Sequence, residues 1–444
     1  MKKLFTVVLI LVLALSVPGL ALASNEAEVT QTGGGNTVTI NQDGDNQATV
    51  DQNGENNDAV VGQHGSNEMT LLQTGDGNDF ALLQEGDGNS ASVSQSGNDS
   101  FASVTQVGNL NTAAVTQSKS SSAEVSQEGD DNSATVTQGA GSYHLANVSQ
   151  EGVENTATVT QGAGDSRVAN VGQIGDNNTA TIIQQAGTSI ETYVNQKGDN
   201  NLVTILQRSG SDNLADASQT GDHNEVDITQ QAGGGHGAYV TQVGDYNTAN
   251  FTQGTGDGTY AVVIQEGDSN VATVKQSGGP DNKTTVWQGG NSNRAEVSFQ
   301  TNSGNNADMV QTGDNNEALV SQGGWNNVAG VTQSGEGNDA TVSQLGLDSQ
   351  SVTVVQQGNS HEASVTQYYG EGNEAVVTQE GDDTFEKHGN YAVIYQAGSN
   401  NIATARQETG QYNTINVQQD GGNNSSVVIQ SGSNNSATVI QGTL

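Results

Sequence analysis

The sequence predicts an all-β chain, a β-solenoid of stacked strand–turn–strand rungs with two facing parallel sheets. Three observations carry that expectation. Glutamine recurs at a fixed interval through almost the whole chain. Between glutamines the residues alternate with period two. Glycine and Asp/Asn pairs punctuate the alternation. Self-similarity at a period of 20–50 residues is the mark of a repeat architecture.

The interval comes first. Gln127, Gln150, Gln173, Gln196, Gln219, Gln242, Gln265, Gln288 and Gln311 are evenly spaced. Between them fall Gln138, Gln161, Gln184, Gln207, Gln230, Gln253, Gln276 and Gln300. Each unit of about 22–23 residues is thus two half-repeats. The pattern runs from Gln31 to Gln441, with tighter spacing early, and breaks near residues 380–395, in "EGDDTFEKHGNYAVIY".

Alternation comes second. In "QEGDDNSATVTQ", Asn132, Ala134, Val136 and Gln138 fall on one side and Ser133, Thr135 and Thr137 on the other. Strict alternation of this kind reads as a half-buried strand. Val, Ile and Thr favour strands, and Gly129-Asp130-Asp131 is turn chemistry. One rung cannot bury its inner face alone, but about 18 stacked rungs bury it against each other. In such a stack, identical side chains align. The inner column Asn132, Asn155, Asn178, Asn201, Asn224, Asn247, Asn270 and Asn293 then forms an amide ladder, as do the glutamines. Buried amides are costly unless bonded, so these residues are read as structural. The matching column of the other half-repeat, His144, Arg167, Ile190, Asn213, His236, Thr259 and Asn282, is not uniform.

Residues 1–23 stand apart. Lys2 and Lys3 precede an apolar run, Leu4 to Val17, too short to span a bilayer, and Ala21-Leu22-Ala23 is a small-residue cleavage motif. This is the pattern of a signal peptide. Residues 24–30 form a short N-terminal segment, and 31–444 the repeat region. No membrane span is expected after residue 23. A secreted or surface-associated protein follows.

Composition bounds the function. The 444 residues carry a formal charge of −38, with 32% hydrophobic residues, 4% aromatics, 58 glycines and no cysteine. By composition alone the chain sits near the disordered class. The acidity argues against nucleic acid and anionic membranes as partners. The lack of cysteine excludes disulfides, thiol catalysis and Cys-ligated zinc. His64, His144, His223, His236, His361 and His388 have no fixed Ser, Asp or Glu around them. No enzyme activity and no cofactor are expected.

At Gln84-Gly86-Asn89-Ala91-Val93-Gln95 and Gln127-Gly129-Asn132-Ala134-Val136-Gln138 the chain resembles the curlin repeat, of curli, the bacterial extracellular functional amyloid. It is identified as an unusually long member of that family. The resemblance implies self-association into fibres at the cell surface, serving adhesion and biofilm matrix, with curlin-type secretion and nucleation proteins as partners. Readings outside it are a monomeric repeat adhesin and an ice- or calcium-binding solenoid. Asp176, Asp199, Asp222 and Asp245 share one turn position with Asp130 and Asp268 and could hold Ca²⁺. The reading adopted is a solvated charge row that opposes premature aggregation. Thr135, Thr158, Thr181, Thr204 and Thr273 form an outward column, interrupted by Asp227 and Asn250, of the kind flat ice-binding surfaces use.

Overall fold

The computed structural model describes residues 7–10, 24–300, 302–381 and 389–442. All its regular elements are strands. Of the expected signal peptide only Val7–Ile10 is described, as a strand antiparallel to Glu26–Thr32. The rest of that segment lies outside the described residues.

The half-repeats form strands, one each except that Asp58–Thr74 and Asp79–Gln95 each run through two, because their inner residues are apolar or amide and their outer residues are β-branched or polar. The strand Ser133–Gln138 buries Ala134, Val136 and Gln138, and Leu145–Val153 buries Ala146, Val148 and Gln150. From Glu26 on, the strands pair parallel and in register with the strand one full repeat away. Ala134, Val136 and Gln138 lie opposite Ala157, Val159 and Gln161. Ala146, Val148 and Gln150 lie opposite Ala169, Val171 and Gln173. The two half-repeats therefore build two parallel ladders of strands, joined through Asp58–Thr74 and Asp79–Gln95, and their inner faces supply the core.

Residues up to Asn213 form one compact unit and residues from Leu214 a second. The second repeats the arrangement. Val271, Ala272 and Val274 pair with Arg294, Ala295 and Val297 in one sheet. Tyr260, Ala261 and Val263 pair with Lys283, Thr284 and Val286 in the other. The core is thin. Burying each Val or Ile contributes about 1.5–3 kcal/mol, and the alanines contribute less. Amide and backbone hydrogen bonds must supply much of the remainder.

The corners follow from glycine. Gly129 has φ +113°, and a Cβ there would collide with the carbonyl oxygen of Gly152 in the next rung. Only glycine allows rungs to stack that closely. Two residues on, Asp131 adopts φ 57°. Such left-handed corners favour Asn, Asp and Gly, whose side chains tolerate them.

One expected ladder position is wrong. Phe299, not Gln300, occupies the glutamine slot: it pairs with Gln276 below and Gln322 above, while Gln300 pairs with Gly323. Phe299 is fully buried. The register of the strand sets which residue faces inward, and it turns the apolar ring to the core. The irregular stretch near 380–395 is narrower than its sequence suggests. Tyr391–Ala397 is a regular strand in register with Glu362–Tyr368. Residues 382–388 lie outside the described residues.

Candidate functional site: amide ladders and end strands

Two kinds of amide ladder run through each unit, and they point opposite ways. Glutamine donates forward. In the first unit Gln127 Nε2 donates to Gln150 Oε1 at 2.9 Å, and Gln150 to Gln173 and Gln173 to Gln196 at 2.8 Å each. In the second unit Gln219, Gln242, Gln265 and Gln288 continue the same direction at 2.8–2.9 Å. Asparagine donates backward. Asn155 Nδ2 donates to Asn132 Oδ1 at 3.1 Å, and the backbone N–H of Asn155 donates to the same oxygen at 3.1 Å. Asn178 and Asn201 repeat this onto the residues below them. So do Asn247, Asn270 and Asn293 over Asn224. A second hydrogen of Asn155 reaches the corner carbonyl of Gly175 at 2.6 Å. Every one of these asparagines and glutamines is at most 2% exposed. Each asparagine ties a corner to a rung, and each glutamine ties strand to strand.

The second column is less irregular than an even spacing in the sequence suggests. Near the start of the chain it is Asn36, Asn57 and Asn78, laddered like the first. In the second unit it contains Asn282, Asn305 and Asn327, where the backbone N–H of Asn305 donates to Asn282 Oδ1 and that of Asn327 to Asn305 Oδ1. The amides are missing over Ser121, His144, Arg167 and Ile190, all buried. In the second unit His236 Nδ1 lies 2.6 Å from Thr259 Oγ1 in the same column. The first column has one exception of its own. His361 Nδ1 accepts from the Asn390 backbone at 3.0 Å, so an imidazole stands in for the amide there.

The turn carboxylates have a structural task. Asp176 Oδ1 accepts the Val153 N–H at 2.9 Å, and Asp199 Oδ1 accepts the Asp176 N–H at 2.9 Å. Asp245 Oδ1 accepts the Asp222 N–H at 2.8 Å. Each carboxylate thus satisfies a corner N–H of the preceding rung, a charge-assisted bond. Among the described residues no three ligating side chains converge on one point. The outward threonines Thr135, Thr158, Thr181 and Thr204 stand in register.

The end strands differ from the rest. Within the stack, inner residues are buried, but in Ser436–Gln441 Ala437, Val439 and Gln441 are only half-buried. Val38, Ile40 and Gln42 of Thr37–Gly44 are half-buried too. Among the described residues, Thr37–Gly44 pairs with a neighbour on one side only, and so does Ser436–Gln441. The opposed ladders make these ends different in kind. At the first, Gln31 and Gln42 use Nε2 toward the next rung, leaving Oε1 outward. At the last, Asn424 and Asn435 donate to the rung below, leaving Oδ1 outward.

Corner glycines, opposed amide ladders and a core of small residues define a structural β-solenoid built from repeats. The chain belongs to the curlin-repeat family. The Curlin associated repeat matches at residues 45–70, 66–97, 119–152, 187–221, 198–231, 313–346, 348–381 and 410–442, together more than half of the chain. No curated protein matches it. The family is one of structural, fibre-forming proteins. Among the described residues no helix is long and apolar enough to cross a membrane.

Proposed function

We propose that the chain is exported, and is the subunit or the nucleus of an extracellular curli-type amyloid fibre that serves cell adhesion and biofilm matrix. The observation that carries this reading is the chemistry of the end strands. Open strand edges template a further strand. The polarity of the ladders adds direction. In the exported chain starting at Ser24, which lacks the Val7–Ile10 strand that otherwise pairs with Glu26–Thr32, Gln31 and Gln42 present Oε1 acceptors at one end, and Gln430 and Gln441 carry Nε2 donors at the other. Asn424 and Asn435 present Oδ1 acceptors where Asn25 and Asn36 offer N–H donors. Two copies meeting first-to-last pair donor with acceptor at all four columns. Two like ends would set acceptor against acceptor. Curlin-type secretion and nucleation proteins are the partners this function calls for.

The test is purified chain starting at Ser24, followed by electron microscopy, amyloid-dye binding and seeding. Unbranched β-rich fibres that seed fresh monomer support the proposal. A chain that keeps its β-spectrum yet stays monomeric for days at high concentration sinks it, and the repeat adhesin takes its place.

A further inference from the structure

In the first unit the second amide column stops and is replaced by ionisable groups. The Ser100 N–H still donates to Asn78 Oδ1 at 3.1 Å. Above it come Ser121, His144, Arg167 and Ile190, with exposures of 5, 1, 0 and 0%. Arg167 does part of what an asparagine does. Its Nη1 donates to the Gln184 carbonyl at 3.0 Å, and its Nη2 donates to the carbonyls of Gly187, at 3.0 Å, and Ala163. His144 does none of it. Both imidazole nitrogens are buried without a partner, as are Ser121 Oγ and Arg167 Nε. The imidazole fills its own corner, with Nε2 2.6 Å from where a Cβ on Gly141 would stand. Four orphaned polar atoms in three successive rungs have no counterpart elsewhere among the described residues. Buried polar groups without partners are costly.

We propose that this interruption is an acid-operated opening in one edge of the first unit: a proton on His144, held against Arg167, releases the corners at residues 139–143 and 162–166, while the opposite, Asn-laddered edge stays closed. The charged groups around His144 are few. Arg167 stacks in the rung above, Asp165 sits in that rung's corner, and Lys119 lies exposed in the corner below. The corner of His144 itself, Gly139 to Tyr143, carries no charge. Burial first, then the Arg167 charge, pull the imidazole from 6.5 to about 4, and Asp165 opposes them weakly. The closed corner therefore holds a neutral ring. An opened corner exposes it to water and restores its ordinary affinity for a proton. Above pH 6.5 neither state is charged, and opening ignores pH. Between 6.5 and about 4 the open form takes up a proton that the closed form refuses. Opening then grows about tenfold for each pH unit lost, and levels off below the lower value. The neighbouring edge has no such group. Asn111, Asn132, Asn155 and Asn178 ladder without interruption beside it. This device does not depend on whether the chain forms fibres.

The experiment is hydrogen–deuterium exchange of the full chain between pH 7 and 4, corrected for intrinsic exchange rates. Peptides covering 139–150 and 162–170 are expected to open about tenfold more per pH unit below 6.5. Peptides over 128–133 and 151–156 are expected to keep their protection. His144→Asn removes the proton acceptor and supplies an amide, so its response should be flat. Arg167→Gln keeps the imidazole and removes the facing cation, which raises the closed ring's affinity for a proton, so its opening should still begin below 6.5 but level off at a higher pH and with a smaller rise than in the wild type. A response that persists unchanged in H144N overturns the proposal, and so does equal opening of the Asn edge. If H144N does not fold, NMR titration of the wild-type His144 ring decides. A ring titrating near 6.5 in the folded chain overturns the proposal, and one titrating well below it supports it.

Discussion

Replacing Asn155 by Leu tests whether the asparagine ladder is what closes the corners. The side chain makes four bonds that leucine cannot. Its Oδ1 accepts the Asn178 N–H at 3.0 Å and Asn178 Nδ2 at 3.1 Å. Its Nδ2 donates to Asn132 Oδ1 at 3.1 Å and to the Gly175 carbonyl at 2.6 Å. After the change the Asn178 N–H is a buried donor with no acceptor, which costs about 1–3 kcal/mol. The other three bonds are each worth about 1 kcal/mol net. Leucine returns about 1–2 kcal/mol by burying apolar surface. The loss should be about 2–5 kcal/mol, concentrated at two adjoining rungs because a solenoid couples nearest neighbours. Hydrogen exchange at the corner amides of residues 152–156 and 175–179 reads it locally, and urea unfolding reads the sum. The control is Thr158→Ser on the outer face, expected to change stability by less than about 0.5 kcal/mol. Equal losses from the two variants would refute the assignment of inner and outer faces and the ladder with it.

Gly129→Ala should destabilise its corner severely, since its Cβ would strike the Gly152 carbonyl at a φ of +113°, whereas Gly34→Ala, which meets nothing within 4 Å, should be nearly silent in thermal unfolding. Asp339 stacks between Glu317 and Glu362, and burial, then those two charges, raise its affinity for a proton. A raised carboxyl stabilises the fold at low pH and loses that contribution as pH rises. Asp339→Asn should therefore be more stable than the wild type at pH 7 and lose that advantage below pH 4, as read by denaturant midpoints across pH. Asn424→Leu with Asn435→Leu removes the outward acceptors of the last rungs. Circular dichroism should hold steady while fibre elongation, followed on preformed seeds, slows; unchanged elongation would remove the amide polarity from the growth mechanism.

Much of this architecture is legible in the sequence because the stack imposes one rule on every rung. The alternation from Asn132 to Gln138 is the burial pattern itself, inner residue by inner residue. What stays hidden depends on neighbours a full unit away. Residue identity favours Gln300 for the ladder, but the side of the strand decides, and Phe299 holds that side. As a result Gln322 Oε1 is buried without a partner. The second column is as irregular from His144 to Thr259 as its sequence reads, and only its earlier members escape an interval of 23, because rungs near the start are 21 or 22 residues long. Counted by pairing, Asn36, Asn57 and Asn78 rejoin it. Ladder direction is invisible in sequence, since an amide can face either way. The turn aspartates read as a charge row, and their bonds to corner N–H groups emerge only when the rungs are stacked.

The interval of 29 residues between Gln367 and Gln396 bears on how such chains change length. Gln367 Nε2 donates to Gln396 Oε1 at 2.9 Å, as it would across a rung of ordinary length. The Glu362–Tyr368 and Tyr391–Ala397 strands pair without slippage. A longer interval thus leaves the pairing of the flanking strands undisturbed, as expected when the entropy of closing a longer connection grows only slowly with its length. Because each rung of such a stack contacts only its neighbours, adding a whole rung is felt no further than the adjoining ones. A peptide spliced between residues 381 and 389 should accordingly leave the pairing of Glu362–Tyr368 with Tyr391–Ala397 unchanged.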